Sequence, residues 1–144
     1  MNYHIVIPAR MASQRLPGKP LAMIGGATLI EHVYRRATFS AAQSAVVATD
    51  SAEIQQACQA FGATVVMTAE DHMSGSDRMA EGADLMHWED DTLVVNLQGD
   101  EPLMPAACLD QAARLLHDHA SASVASLYHT IDSPAEVGDP NAVK

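Results

Sequence analysis

Long apolar runs are missing from this sequence. No stretch reaches the roughly 18 residues that a membrane-spanning helix needs, and the first residues carry no basic segment followed by an apolar core and cleavage site. A globular protein of the cytosol is expected. Cysteine is scarce: Cys58 and Cys108 each sit in an amphipathic pattern, so buried free thiols are expected ahead of a disulfide or metal pair. The 7 His residues show no HExxH spacing and CxxC is absent too, so the single HxH, His117-Asp118-His119, has no further motif ligand beside it, which argues against a zinc site. His117 and His119, near a helix end, read as surface groups favoured by the helix dipole. Positive charge is also short, with 8 Lys and Arg against 18 Asp and Glu and a net charge of −10. Duplex binding needs a broad basic face, so a general nucleic-acid surface is excluded. Neither a Walker loop nor a GxGxxG fingerprint is present, which disfavours a dinucleotide-dependent oxidoreductase. There is no internal repeat, low-complexity segment or linker.

What is present is enough for one core. The chain has 144 residues, 48% of them hydrophobic, and reads as a single domain over 1–144. Ile5 to Pro8 is a continuous apolar run suited to a strand buried on both faces. Thr28 and Glu31 form a capping box ahead of Leu29, Ile30, Val33, Tyr34 and Ala37 at helical spacing. Ala45 to Ala48 reads as a strand. Asp50 or Ser51 then caps a helix bearing Ile54, Ala57, Cys58 and Phe61, which Gly62 ends. Ala63 to Met67 is the next strand, and Ser74 or Ser76 opens a helix with Met79, Ala80, Ala83 and Met86 inward. Thr92 to Asn96 is the most strand-like run and is expected to be the most buried. Pro105 then opens a helix with Leu109, Ala112, Leu115 and Leu116, and Ser123 to Leu127 is a last strand. The 8 Met residues read as core filler. The order βαβαβαβαβ predicts an α/β fold, a mostly parallel sheet with helices on both faces.

Ligands of open α/β sheets bind beyond the carboxyl ends of strands, which singles out the loops Arg10 to Lys19, Thr49 to Asp50 and Leu97 to Glu101. The first, within PARMASQRLPGKP, gathers Arg10, Arg15 and Lys19 around Gly18 in an otherwise acidic chain. Guanidinium forks, a point charge and an approachable backbone are what holding a polyphosphate requires. A solvated basic loop beside an acidic body is the plainer alternative. In NLQGDEP, Asp100 and Glu101 follow a strand, where a hard divalent ion such as Mg2+ would use one or two carboxylates plus phosphate oxygens. The alternative there is that Asp100 caps the helix after Pro102. Gln98 could face a sugar or a base edge. Ser74, Gly75 and Arg78 begin a helix whose amides suit an anion or a base carbonyl, with capping and a surface charge as the alternative.

PARMASQRLPGKP, VVATD, HMSGSDRMAE, VVNLQGDEP and DPNAVK, in that order along the chain, resemble the 3-deoxy-manno-octulosonate (Kdo) cytidylyltransferases. The resemblance implies a Rossmann-like nucleotide-diphospho-sugar transferase fold, here truncated to its N-terminal nucleotide-binding part. It implies CTP over the first loop, Mg2+ at Asp100, and attack of the Kdo 2-hydroxyl on the α-phosphate with loss of pyrophosphate, in lipopolysaccharide precursor synthesis. Arg10, Lys19 and Asp100 would be catalytic, and Ala9, Arg10, Arg15, Lys19, Ser74, Arg78 and Gln98 would line the nucleotide. The expected partners are CTP and the acid sugar Kdo, in a cytoplasmic homo-oligomer without nucleic acid or membrane. Family members continue into a second half with sugar contacts, a second metal-binding aspartate and much of the dimer surface. The alternative is an inactive module that binds nucleotide or self-associates.

Overall fold

Alternation along the first strand divides the interior in two, because successive side chains of a strand point to opposite faces. The structure, a computed structural model, describes residues 1–11 and 17–139. In chain order it contains β1 (Tyr3–Ala9), a 3-10 turn (Lys19–Leu21), β2 (Met23–Ile24), β3 (Ala27–Thr28), α1 (Leu29–Thr38) and β4 (Ser44–Thr49). Then come α2 (Ala52–Ala60), β5 (Thr64–Met67), α3 (Gly75–Leu85), β6 (Leu93–Asn96), α4 (Ala106–Asp118) and α5 (Pro134–Gly138).

The main sheet has the order β5-β4-β1-β6 and every pairing in it is parallel. Ile5 lies opposite Ala45 on one side and Val95 on the other. Tyr3, Ile5, Ile7 and Val47 pack with Ile30 and Val33 of α1, Ile54 and Cys58 of α2, and Leu109 and Ala113 of α4. Val6, Val46 and Ala48 face the other way, against Met79, Met86 and Trp88 from α3 and its end. Each fully buried Ile or Val stabilises the fold by about 1.5–3 kcal/mol relative to exposure. The expected parallel sheet with helices on both faces is therefore what forms.

The local signals acted as read except in the Thr28–Glu31 box, of which the forward half forms while Glu31 Oε1 accepts from Arg35 Nη2 at 2.5 Å. Thr28 Oγ1 accepts from the Glu31 amide, and Ser51 Oγ accepts from the Ile54 amide. Cys58 is a buried free thiol and Cys108 a half-buried one. Among the described residues no helix is long and apolar enough to cross a membrane.

Four expectations need correction. Ser123 to Leu127 is not a strand: the segment is irregular and Val124 is 80% exposed, because a strand needs a neighbour to bond and it pairs with none among the described residues. Thr92 to Asn96 is not the most buried strand, since β6 stands at the sheet edge while β1 and β4 occupy the centre. In α3 the buried residues are Arg78 and Gly82; Met79, Ala83 and Met86 are half-buried and Ala80 is exposed. In α4 the inward face is Leu109 and Ala113, with Leu115 exposed. The β2–β3 hairpin also went unread, although Gly25 and Gly26 give its signal: both have positive φ, as a tight two-residue turn demands.

Candidate functional site

The four parallel strands deliver their carboxyl ends to one edge of the sheet, and the loops leaving them lie around that edge, where ligands of open α/β sheets bind. From β1 come Ala9, which is buried, and Arg10, which is exposed and has no ion-pair partner among the described residues. Arg15 lies outside the described residues. The chain returns with the Gly18 amide donating to the Met11 carbonyl at 3.2 Å, and the 3-10 turn then presents Lys19.

The loop after β6 meets this turn. Leu97 N–H donates to Val6 O at 3.1 Å, which continues the β1–β6 ladder by one residue. Gly99 then crosses the end of β1 so closely that a Cβ there would stand 2.8 Å from Pro8 O, which only glycine tolerates. That crossing aims Asp100 at the 3-10 turn, where Lys19 Nζ donates to Asp100 Oδ2 at 2.8 Å. The cation of one loop and the carboxylate of the other are thus adjacent, though 81 positions separate them in the chain.

Asp100 does not cap the following helix; Pro105 occupies that position without a side-chain bond. Arg36 Nε donates to Pro102 O at 2.9 Å and ties the loop to α1. Glu101, beside Asp100, has its pKa pushed up by desolvation and then by the Asp100 charge. Among the described residues no cluster of three or more His, Cys, Asp or Glu could hold a metal. Asp100 still offers a hard oxygen donor where a phosphate-bound ion would need one, since such ions take few protein ligands.

The third wall is the start of α3. Gly75 faces Pro8 and Gln98, where a Cβ would lie 3.5 Å from Pro8 Cγ and 3.6 Å from Gln98 Nε2. Ser74 caps the helix: its Oγ accepts from the Asp77 amide at 3.1 Å and donates to Asp77 Oδ2 at 2.7 Å. Its hydroxyl is therefore committed to the capping box, while Gln98 is exposed.

Arg78 departs most from a surface reading. It is 3% exposed, donates through Nη2 to Asp50 Oδ2 at 2.5 Å, and donates through Nη1 to Thr68 Oγ1. Asp50 follows β4, and Thr68 follows β5 with its amide on Thr49 O at 2.8 Å. Asp50 thus serves as partner to a buried cation, and Ser51 alone caps α2. The loop between Thr68 and Ser74 is further held by Glu81, which accepts from the Ala69 amide at 2.9 Å and bonds His72. Those contacts, His72 first, lower the Glu81 pKa. The roles of Asp50, Thr68 and Glu81 went unread; Asp50 standing directly after a buried strand was the available signal.

Residues 4–144 match the cytidylyltransferase family. The chain is 49% identical over 144 residues to the 3-deoxy-manno-octulosonate cytidylyltransferase of Thioalkalivibrio sulfidiphilus, covering 100% of this chain and 58% of the relative. It is 49% identical to the protein of that name from Marinobacter nauticus, of which it covers 55%. Among solved structures, a CMP:2-keto-3-deoxy-manno-octonic acid synthetase complexed with CTP superposes with a TM-score of 0.75 at 43% identity, over 83% of this chain and 49% of that one. The chain spans little more than half the length of the curated relatives it matches.

Proposed function

This chain belongs to the cytidylyltransferase family, and from that membership we propose that it is the CTP-binding part of an enzyme that transfers CMP from CTP to the 2-hydroxyl of Kdo. Pyrophosphate is the second product, and the reaction serves lipopolysaccharide precursor synthesis in the cytoplasm. The observation that carries the reading is the pairing of Lys19 with Asp100 beyond the ends of β1 and β6, with Arg10 directly after β1 and without an ion-pair partner among the described residues. A cationic loop and a carboxylate at one point are what a metal-bound polyphosphate needs on either side.

In this reading Arg10, Arg15 and Lys19 neutralise the triphosphate, with guanidinium forks on oxygens and the ammonium as a point charge. The Ala9 backbone and Gln98 line the nucleoside and sugar side, and the start of α3 at Ser74 closes it. Asp100 holds Mg2+, which when bound supplies charge neutralisation at the reacting phosphate. No side-chain nucleophile is required, because positioning and charge carry phosphoryl transfer.

The test is pyrophosphate release from CTP, Mg2+ and Kdo by the wild-type chain and by Asp100→Ala. Turnover that depends on Asp100 supports the full reading. Turnover indifferent to Asp100, or release that ATP supports as well as CTP, sinks it.

A second reading rests on the outer edge of β6, which has no partner strand among the described residues. Open strand edges pair readily, so the chain could serve as a nucleotide-binding module that self-associates. A stable monomer in sedimentation at micromolar concentration would exclude self-association.

A further inference from the structure

One turn of α3 carries two contacts that point to different strands. At its first residue, Gly75 lies against Pro8 at the end of β1 and Gln98 after β6. Three residues on, the Arg78 side chain reaches Asp50 after β4 and Thr68 after β5, on the other half of the sheet. Both halves of the Arg78 fork are occupied, and the group is 3% exposed, so contact with a ligand would require breaking its present bonds. A planar fork fixed at two points defines a helix position more tightly than a point charge does. Buried hydrogen-bond networks of this kind resist displacement because each broken member is left without water.

We propose that Arg78 is a positioning residue: anchored on Asp50 and Thr68, it fixes how far the first turn of α3 stands from Gln98, and so sets the width of the nucleoside side of the cleft. This rests on the nucleotide-binding reading. Two details support the assignment. The loop that links Thr68 to Ser74 is pinned at Ala69 and His72 by Glu81 of the same helix, so α3 and its leading loop are tied to each other. The phosphate side, by contrast, is assigned to Arg10, Lys19 and Asp100, and among the described residues Arg78 bonds Asp50 and Thr68 instead. A shift of α3 therefore alters the nucleoside side and leaves the phosphate side in place.

The experiment compares CTP with inorganic tripolyphosphate by titration calorimetry, on the 144-residue wild-type chain and on Thr68→Val and Arg78→Lys. Thr68→Val removes one acceptor without leaving a buried carboxylate unpaired, and Arg78→Lys keeps the charge and loses the fork. CTP should weaken about tenfold in each variant, the size expected when a charged donor loses one hydrogen bond. Tripolyphosphate should change by less than about twofold, because its partners lie elsewhere. Equal weakening of both ligands, or of neither, overturns the positioning role. Loss of the folded state in both variants, judged by circular dichroism, also overturns it, since the network would then hold the fold rather than the cleft. A wild-type chain that binds tripolyphosphate but does not prefer CTP to GTP sinks the nucleotide reading, and the positioning role with it, before any variant is made.

Discussion

Lys19 Nζ and Asp100 Oδ2 stand 2.8 Å apart and join the 3-10 turn to the loop after β6 across 81 positions of sequence. Their side chains are 38% and 53% exposed, so the pair itself contributes at most about 1 kcal/mol to stability. Its consequence is competition. Asp100→Asn frees the ammonium, and in metal-free buffer tripolyphosphate should bind about two- to fivefold tighter than to wild type, a gain within the reach of one exposed ion pair. Lys19→Met should weaken it about tenfold, in line with loss of one charge-assisted bond. Unchanged binding in Asp100→Asn would show that Lys19 does not meet the anion.

Gly99 decides whether Asp100 reaches Lys19 at all. A methyl group at this position meets the Pro8 carbonyl oxygen at 2.8 Å, a backbone atom that cannot rotate away. Gly99→Ala should destabilise the chain by about 1–3 kcal/mol, as overpacking does, with the urea midpoint lowered and the slope unchanged. It should also tighten tripolyphosphate binding in metal-free buffer, because Lys19 is released when the loop carrying Asp100 is pushed off β1. Stability equal to wild type would mean that the loop after β6 yields freely.

The parts of the fold that depend on near neighbours in sequence are legible in the sequence itself. Thr28 with Glu31, and Ser51 with Ile54, close within three residues, so their helices were legible. Ser123 to Leu127 carried an equally strand-like pattern and failed, because pairing depends on a partner that the pattern does not specify. The site divides in the same way. Placing Arg10, Lys19 and Asp100 at strand ends needed only the order of elements. The bond between Lys19 and Asp100 spans 81 positions, and that between Asp50 and Arg78 spans 28, distances over which spacing carries no information. Arg78 was legible as a helix-start residue and not as a buried one, since an arginine is rarely interior unless paired.

The acid limb of stability should begin with His4. Burial holds its imidazole below the ordinary value of 6.5, its Nδ1 lies 2.7 Å from Ser44 Oγ, and its ring stacks on Trp88 at 4.3 Å between centroids. The unfolded chain takes up this proton at a higher pH than the folded one. The contribution is therefore complete above 6.5 and is lost as pH falls through the depressed folded value. Glu81, lowered by His72 and the Ala69 amide, adds a second loss below its ordinary 4.5. With 1 Trp in the chain, Trp88 fluorescence reports the stack directly. His4→Gln should flatten the melting temperature against pH just below 6.5 while leaving the lower limb; an unchanged profile would remove His4 from the account.

The alkaline limb belongs to the opposite face of β1. Tyr3 is buried and donates to Asp110 Oδ1 at 2.5 Å, and the Ala41 amide donates to the same oxygen at 2.8 Å. Burial first, and then the bond to Asp110, pushes the phenol up to about 12. The unfolded chain ionises near 10, so Tyr3 contributes stability that is complete below 10 and is lost as pH rises through about 12. Tyr3→Phe keeps the ring in the core and leaves Asp110 with the Ala41 amide, so the cost near neutral pH should be about 1 kcal/mol, one hydrogen bond. The same substitution should flatten the alkaline limb. Guanidinium unfolding at pH 7 and at pH 11 separates the two effects: an equal loss of stability at both would assign the limb to another group.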